Sequence, residues 1–472
     1  MSTQYDFIVI GSGPAGQKAA IQGAKEHQSV LLIESEPHIG GMCVHKGTIP
    51  SKALRETALR LQDARQLLNR DQPVELHSLM SRVGEVVSSH DSYIGGQLDR
   101  NGIQRVRGRA RFISPKELEI ARPGGSRELV SGEKIFIATG SVPRHPPGFN
   151  VDHEYLLDSD SVLSMHYLPK SMVVLGGGVI ACEYASVFSS LGCEVTLIER
   201  YPRPLGFLDD ELARRFISAF EASGGRFLGN TVVRSAAWDG VAGVYLQLED
   251  NTRLHAEKLL IAQGRVSNLS GLNIQASGVQ VTDLGLIAVD LNYQTNVPGI
   301  YAIGDVIGPP GLASSAMEQG RWAACHALGK PRAAADLDIP VGIYAIPELA
   351  SVGLSEQQAI STYGRPRVGY AEFREVARGL IAGNTEGMLK MVADPEGKLV
   401  LGVHIIGDGA TELIHLGQLA LVNKMQVSAF VDQIFNFPTL AEAYRVAALH
   451  ISGQVSGGTA APKKDNIIRL MP

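Results

Sequence analysis

The chain has 472 residues and a net charge of −5. That length is too great for a single core and predicts roughly two to four domains. The mild acidity argues against a nucleic-acid surface or a polybasic membrane patch, and no apolar run approaches the about 18 residues of a membrane span. The N-terminus has no basic region, and the apolar run 7–10 is too short for a secretory signal. Four cysteines occur, Cys43, Cys182, Cys193 and Cys325. Their spacings fit neither a zinc site nor a disulfide framework. This usage suits a reducing compartment, so a cytoplasmic location is expected.

Residues 5–10 read as a buried parallel strand. Gly11-Ser-Gly13-Pro-Ala-Gly16 follows at once, then a helix over 17–26 and a second strand over 30–33 ending in Glu34. This strand–turn–helix–strand order binds dinucleotides. Gly11 makes the tight turn, Gly13 lets the backbone approach a pyrophosphate, and Gly16 permits close helix–strand packing. The helix N-terminus offers free N–H groups to the phosphates, and Glu34 is placed to accept ribose hydroxyls. Next comes GGMCVHKGTIPSKALRE, beginning at Gly40 and Gly41, in which four residues separate Cys43 from Thr48. Pro50 suits a first helical turn. Leu54, Ala58, Leu61, Ala64 and Leu68 then recur at helical spacing, which predicts an amphipathic helix. Residues 135–143, containing Thr139 and Gly140, form a strand running into a turn.

The nucleotide pattern returns over 172–199. A strand leads into Gly176-Gly-Gly178-Val-Ile-Ala181, then a helix over 182–191 and a strand over 195–198 ending in Glu199. Two such units imply two dinucleotides. Two more strand–turns follow, 260–268 with Gly264 and 295–305 with Asp305. From about 340 the chain alternates strands and helices without a nucleotide motif. The tail after Ile451, rich in Gly, Ala and Lys, is expected to be mobile as far as Asp465.

In this order the segments resemble the two-dinucleotide flavoproteins. The frame of Gly40, Gly41, Cys43, Thr48 and Ile-Pro-Ser-Lys52 resembles the redox-active helix of the flavoprotein disulfide reductases. The second cysteine of that frame is Thr48 here, and threonine can neither close a disulfide nor supply a thiolate. The combination is similar to the soluble, flavin-containing pyridine nucleotide transhydrogenases. The resemblance implies an α/β fold with two doubly wound dinucleotide-binding domains, for FAD and NAD(P), and a C-terminal α+β dimerisation domain. It divides the chain into 1–147 and 269–339 for FAD, 148–268 for NAD(P) and 340–472 for the interface of a homodimer or larger homo-oligomer. The FAD domain is thus discontinuous.

The same resemblance assigns residues. FAD would be held by Gly11, Gly13, Gly16, Glu34, Gly41, Cys43, Lys52, Thr139 and Gly140. Ala110 would meet the adenine, Asp305 the ribityl chain and Ala313 the region of the flavin ring. Gly176, Gly178, Glu199, Arg200 and Gly264 would hold the nicotinamide dinucleotide. Thr48 would face the ring in place of a sulfur, with helix capping as its plain structural role. Lys52 would lie near flavin N5, paired with Glu183, and its charge would favour negative charge in the ring. Val179 leaves the nicotinamide pocket open. Cys43 has no redox role without a partner. In the C-terminal domain the family's histidine base is replaced by Phe437, which cannot shuttle a proton. Glu442 is kept, and His450 reads as structural. Thiol and base are lost together, as expected of an enzyme with no dithiol substrate.

The implied activity is hydride transfer between NADPH or NADP⁺ and NAD⁺ or NADH, of the Si-specific type. Glu199 suits an NAD ribose and repels a 2′-phosphate, while Arg200 and Arg203 offset that. Three alternatives stay open: an NAD(P)H diaphorase or quinone reductase, a dihydrolipoamide dehydrogenase-like enzyme without its disulfide, and a non-catalytic flavoprotein binding module.

Overall fold

The structure is a computed structural model that describes residues 3–68, 76–330 and 338–456. Its α/β chain forms two compact units. The first comprises Met1–Arg200 and Thr231–Ala335, and the second Tyr201–Asn230 and Asp336–Pro472.

In the first unit, strand Thr3–Ile10 lies parallel to Val30–Glu34 on one side and to Arg127–Ile137 on the other. Gln104–Arg107 extends the sheet beyond Val30–Glu34. Arg109–Ser114 and Glu117–Ala121 complete it as an antiparallel meander on Arg127–Ile137. Ile300–Ala302 also pairs with Arg127–Ile137, in the register Ile300 to Ile135. The chain therefore returns to its first sheet after building a second parallel sheet. The reason lies in composition: the central strands are buried on both faces and carry continuous apolar runs. Helix Pro14–Lys25 packs on helix Ala313–Ala327, and Gly320 is needed there because a Cβ would strike the Ala15 backbone.

A second parallel sheet follows in the order Glu194–Ile198, Ser171–Leu175, Lys258–Ile261, Leu156–Asp158. A short antiparallel ribbon joins Ser141–Pro143 to Arg265–Ser267. Helix Thr48–Leu68 differs from its expected face. Leu54 and Ala58 are buried, but Leu61 is half-buried and Ala64 exposed. The side chain of Leu68 lies outside the described residues. Among the described residues no helix is long and apolar enough to cross a membrane.

The second unit is built on an antiparallel sheet ordered Val341–Ile343, Leu349–Gly353, Val400–Ile406, Met388–Ala393, Arg367–Glu372. The two strands Met388–Ala393 and Val400–Ile406 are wholly buried, covered by helices including Ala410–Val422 and Glu442–Ser456. That last helix carries the chain through Ser456, and the rest of the expected tail lies outside the described residues. His450 is structural, accepting the Tyr370 N–H on its Nδ1 at 3.2 Å. Several of this unit's buried residues are ionisable, Lys390, Asp209 and His404 among them. Lys390 is 1% exposed and donates to both oxygens of Asp209, at 2.8 and 3.0 Å, and to Glu356 at 2.6 Å. Burial alone would push this ammonium down, but its carboxylate partners reverse that and raise it. Asp209 also caps helix Asp210–Ala222 through the Glu211 N–H.

His404, fully buried beside this cluster, is bonded to Ser351 Oγ at 2.7 Å and to the Leu354 carbonyl at 2.9 Å. Burial, with Lys390 acting in the same direction, holds its pKa below the ordinary value, against the opposing pull of Asp209 and Glu356. The unfolded chain takes up a proton at this imidazole near about pH 6.5, while the folded chain resists it. Stability from this group is therefore present above about pH 6.5 and is lost as pH falls through and below that value. Thermal midpoints measured from pH 7.5 to 5 should show a shallower decline in His404→Gln than in the parent.

Candidate active site

The two glycine loops are built alike, by the same steric logic. The Gly11 N–H donates to the Ile33 carbonyl at 2.8 Å, and the Gly176 N–H to the Ile198 carbonyl at 2.8 Å. Gly11 has φ +104° and Gly176 φ +120°. A Cβ at Gly11 would strike the Ala138 carbonyl at the end of the neighbouring strand, and one at Gly176 would strike that of Ala262. Gly16 also has no room, since its Cβ would overlap the Gly11 carbonyl. By contrast, nothing lies within 4 Å of a Cβ placed on Gly13 or Gly178. Each middle glycine opens instead onto the N-terminus of a 12-residue helix, Pro14–Lys25 or Val179–Ser190. An open face, bare backbone and a helix N-terminus are what a pyrophosphate requires.

The acids at the strand ends are placed in parallel but held differently. Glu34 Oε2 accepts the Ser12 N–H at 2.9 Å and the Ser12 hydroxyl at 2.6 Å. Its Oε1 accepts the Glu36 N–H at 2.9 Å. Ser12 Oγ in turn accepts the Gly40 N–H at 3.0 Å. In the second loop the equivalent residue is Gly177, and the Glu199 carboxylate lies 2.5 Å from where its Cβ would be. Any side chain at 177 would displace Glu199. Arg200 is exposed. Arg203, in the second unit, is ion-paired with Asp210.

Helix Gly41–His45 brings Cys43 to this region. Gly40 and Gly41 both have left-handed backbones, with φ +110° and +62°. A Cβ on Gly41 would come within 2.9 Å of the Gly13 Cα, so the first loop and this helix touch backbone to backbone. Thr48 is the first residue of helix Thr48–Leu68. Its side chain meets Cys43 through a hydrogen bond. Burial raises the Cys43 pKa; the Thr48 bond and the Lys52 charge lower it, but the net shift is upward. Cys43 is thus a thiol at neutral pH, held against the residue that replaces its partner. All four cysteines are unpaired, and burial pushes Cys193 up to about 12.

Lys52 lies one turn along this helix. Its Nζ donates to Glu183 Oε2 at 2.5 Å and to Ser51 Oγ at 3.3 Å. Glu183 is buried on helix Val179–Ser190, so the expected pair joins helix Thr48–Leu68 to the helix that follows the second glycine loop. Thr139 and Gly140 follow strand Arg127–Ile137. Gly140 has φ +70° with open space beside it, and the Thr139 hydroxyl is buried without a hydrogen-bond partner. Asp305 lies in the short turn Gly304–Ile307, one carboxylate oxygen accepting from Ser141 Oγ at 2.8 Å. Ala313 starts helix Ala313–Ala327, Ala110 sits on the edge strand Arg109–Ser114, and Gly264 follows Lys258–Ile261 with φ +101°. Ser12, Gly177, Ser141 and Arg265 carry no sequence signal for the parts they play. Ser12 and Gly177 occupy unspecified motif positions, and the roles of the other two arise from pairings over more than 100 residues.

These features define a flavin- and nicotinamide-dependent oxidoreductase site, and the chain belongs to the pyridine nucleotide-disulphide oxidoreductase family. The family model matches residues 5–320, and the model of its dimerisation domain matches 339–448. The chain is 42% identical over 460 residues to the soluble pyridine nucleotide transhydrogenase of Erwinia tasmaniensis, covering 95% of this chain and 98% of that one. It is 41% identical over 461 residues to that of Mycobacterium bovis, covering 96% and 98%. Among solved structures it is similar to the flavoprotein disulfide reductase RclA of Escherichia coli in its Cu(II) complex, with TM-score 0.88 and 27% identity over 95% of this chain and 99% of that one. It is also similar to LpdA of Mycobacterium tuberculosis, with TM-score 0.87 and 27% identity over the same shares. Family membership implies FAD and a nicotinamide dinucleotide. The open glycines, the unpartnered Thr139 hydroxyl and the free oxygen of Asp305 fit a bound dinucleotide at the first loop.

Gly41→Ala tests the backbone contact. A left-handed alanine costs roughly 1–2 kcal/mol, and its methyl would press on Gly13. The purified variant should carry less flavin per chain than the parent, read as the ratio of flavin to protein absorbance.

Proposed function

We propose that the chain is an FAD-dependent transhydrogenase, working as a homodimer in the cytoplasm, that moves hydride between NADPH and NAD⁺ or in reverse. The observation that carries this reading is the Cys43–Thr48 pair beside an intact Lys52–Glu183 bridge. The site keeps its nicotinamide-side machinery and lacks a dithiol. The names of the most similar relatives support it. On the same grounds we assign 1–147 and 269–339 to FAD, 148–268 to the nicotinamide dinucleotide, 340–472 to the dimer interface, and the hydride transfer to the Si-specific type.

Bound FAD would supply the hydride acceptor and donor that neither nicotinamide can be for the other within one site. The chain's own groups bind, orient and polarise. Gly11, Gly13 and Gly16 with the N-terminus of helix Pro14–Lys25 would hold the FAD pyrophosphate, and Glu34 a ribose. Thr139, Gly140, Asp305, Ala110 and Ala313 would line the rest, with Gly41, Cys43 and Thr48 closing one side. Gly176, Gly178, Gly264, Glu199 and Arg200 would bind the nicotinamide dinucleotide, with the small Val179 leaving its ring room. Lys52, fixed by Glu183, places a positive charge where negative charge develops on hydride transfer, a preorganised electrostatic contribution. Phe437, 70% exposed, offers no base.

Stopped-flow reduction by NADPH followed by mixing with NAD⁺ tests the reading. The expected result is rapid bleaching and recovery of the flavin band with NADH appearing in equal amount, and no turnover of dihydrolipoamide or glutathione disulfide. A chain inert to NADPH but active with NADH and a quinone would be a diaphorase instead.

Nucleotide preference is assigned to Glu199. Its carboxylate lies over Gly177, where it can accept from a 2′-hydroxyl but repels a 2′-phosphate. NADH should therefore be the better reductant of the parent. Glu199→Asn should raise the ratio of kcat/KM for NADPH over NADH, about tenfold for each 1.4 kcal/mol of repulsion removed. An unchanged ratio would move the discrimination to other residues.

A further inference from the structure

We propose that Arg265 is a positioning residue that acts through Ser141 on Asp305, fixing the carboxylate that holds FAD. The proposal rests on the assignment of Asp305 to FAD made above. The three side chains come from segments far apart in the chain and meet at the ribbon of Ser141–Pro143 and Arg265–Ser267. Arg265 Nε donates to Ser141 Oγ at 2.8 Å, and its Nη2 to the Ser141 carbonyl at 2.8 Å. Ser141 Oγ donates to Asp305 Oδ2 at 2.8 Å.

The direction of this relay is forced by chemistry. A guanidinium has only donors and stays charged. Ser141 must therefore accept from Arg265, and its single hydroxyl proton is left for Asp305. Asp305 Oδ2 is then satisfied from one fixed direction, which orients the other oxygen. Ser141 is only 6% exposed, which limits the access of water to these bonds. The guanidinium is itself held, by Ser159 Oγ at 2.9 Å and Asp160 Oδ1 at 3.4 Å. Asp160 also faces Lys46 at 3.8 Å. A second tether confirms the contact between ribbon and turn: Ser267 Oγ donates to the Val306 carbonyl at 3.0 Å. The ribbon joins the two nucleotide-binding halves of the first unit, so the same bonds tie the second half to the carboxylate assigned to FAD.

The test is FAD release from the holoenzyme after dilution, followed by free-flavin fluorescence, in Asp305→Asn, Ser141→Ala, Arg265→Met, Arg265→Lys and the Ser141→Ala/Arg265→Met double variant. Ser141→Ala and Arg265→Met should each speed release about tenfold, the weight of one charge-assisted hydrogen bond. The double variant should be no faster than the faster single variant, because both break one relay. Arg265→Lys should recover part of the loss, and NADH affinity measured in parallel should change less than about twofold, a small fraction of one such bond. Additive effects, unchanged release, or equal losses of FAD and NADH binding would each overturn the relay. Should Arg265→Met fail to fold, Ser141→Ala removes only a hydroxyl and decides the same point. If Asp305→Asn alone leaves release unchanged, the assignment of Asp305 to FAD falls. If Asp305→Asn speeds release while Ser141→Ala does not, only the relay falls.

Discussion

The Lys52–Glu183 bridge is the constraint on which the site depends. Two charges largely withdrawn from water gain little net stability, because desolvation cancels most of their attraction. Removing either partner, however, leaves the other charge stranded at a cost of roughly 3–5 kcal/mol. The bridge therefore acts less as a source of stability than as a registry device. It fixes helix Thr48–Leu68 against helix Val179–Ser190, and so against the second glycine loop. Transfer of hydride between two bound molecules depends on that register, since a misplacement of about 1 Å can cost roughly a hundredfold in rate.

The same helix explains what the chain has given up. Thr48 sits where a second thiol would complete a disulfide, and its side chain bonds the remaining Cys43. A hydroxyl there preserves a polar contact and the local packing while removing the chemistry. Burial keeps Cys43 protonated, so the surviving sulfur is a poor nucleophile. Phe437 cannot act as a proton-transferring base.

Much of this was legible in the sequence. The glycine loops and the terminal acids follow from fixed spacings, the Lys52–Glu183 pair was implied by the family resemblance, and the structure contains all of them. The return of strand Ile300–Ala302 to the first sheet followed from the position of Asp305 after the second loop. Three things were not legible. The apolar positions of helix Thr48–Leu68 predicted a continuous buried stripe, yet Ala64 is exposed, because periodicity says which face is apolar and not where its cover ends. The Lys390–Asp209–Glu356 cluster and His404 were invisible, since a lysine or histidine inside a strand reads as an exposed position until its partners are known. The relay through Ser141 escaped notice for the same reason: serine and arginine carry no signature, and only the fold brings residues 141, 265 and 305 together.

The two loops also show how one motif can serve two kinds of ligand. Both place a carboxylate over a glycine turn, but residue 12 is serine and residue 177 is glycine. Ser12 ties Glu34 to the Gly40 N–H and hence to helix Gly41–His45, which touches Gly13 backbone to backbone. The first loop, its acid and the flavin-face segment are thus one hydrogen-bonded assembly. Ordering such an assembly in advance lowers the entropy lost on binding and favours slow release. Gly177 has no side chain with which to make that tether, and its bare backbone leaves room for the carboxylate of Glu199. The two loops thus differ at one unspecified position of an otherwise shared motif.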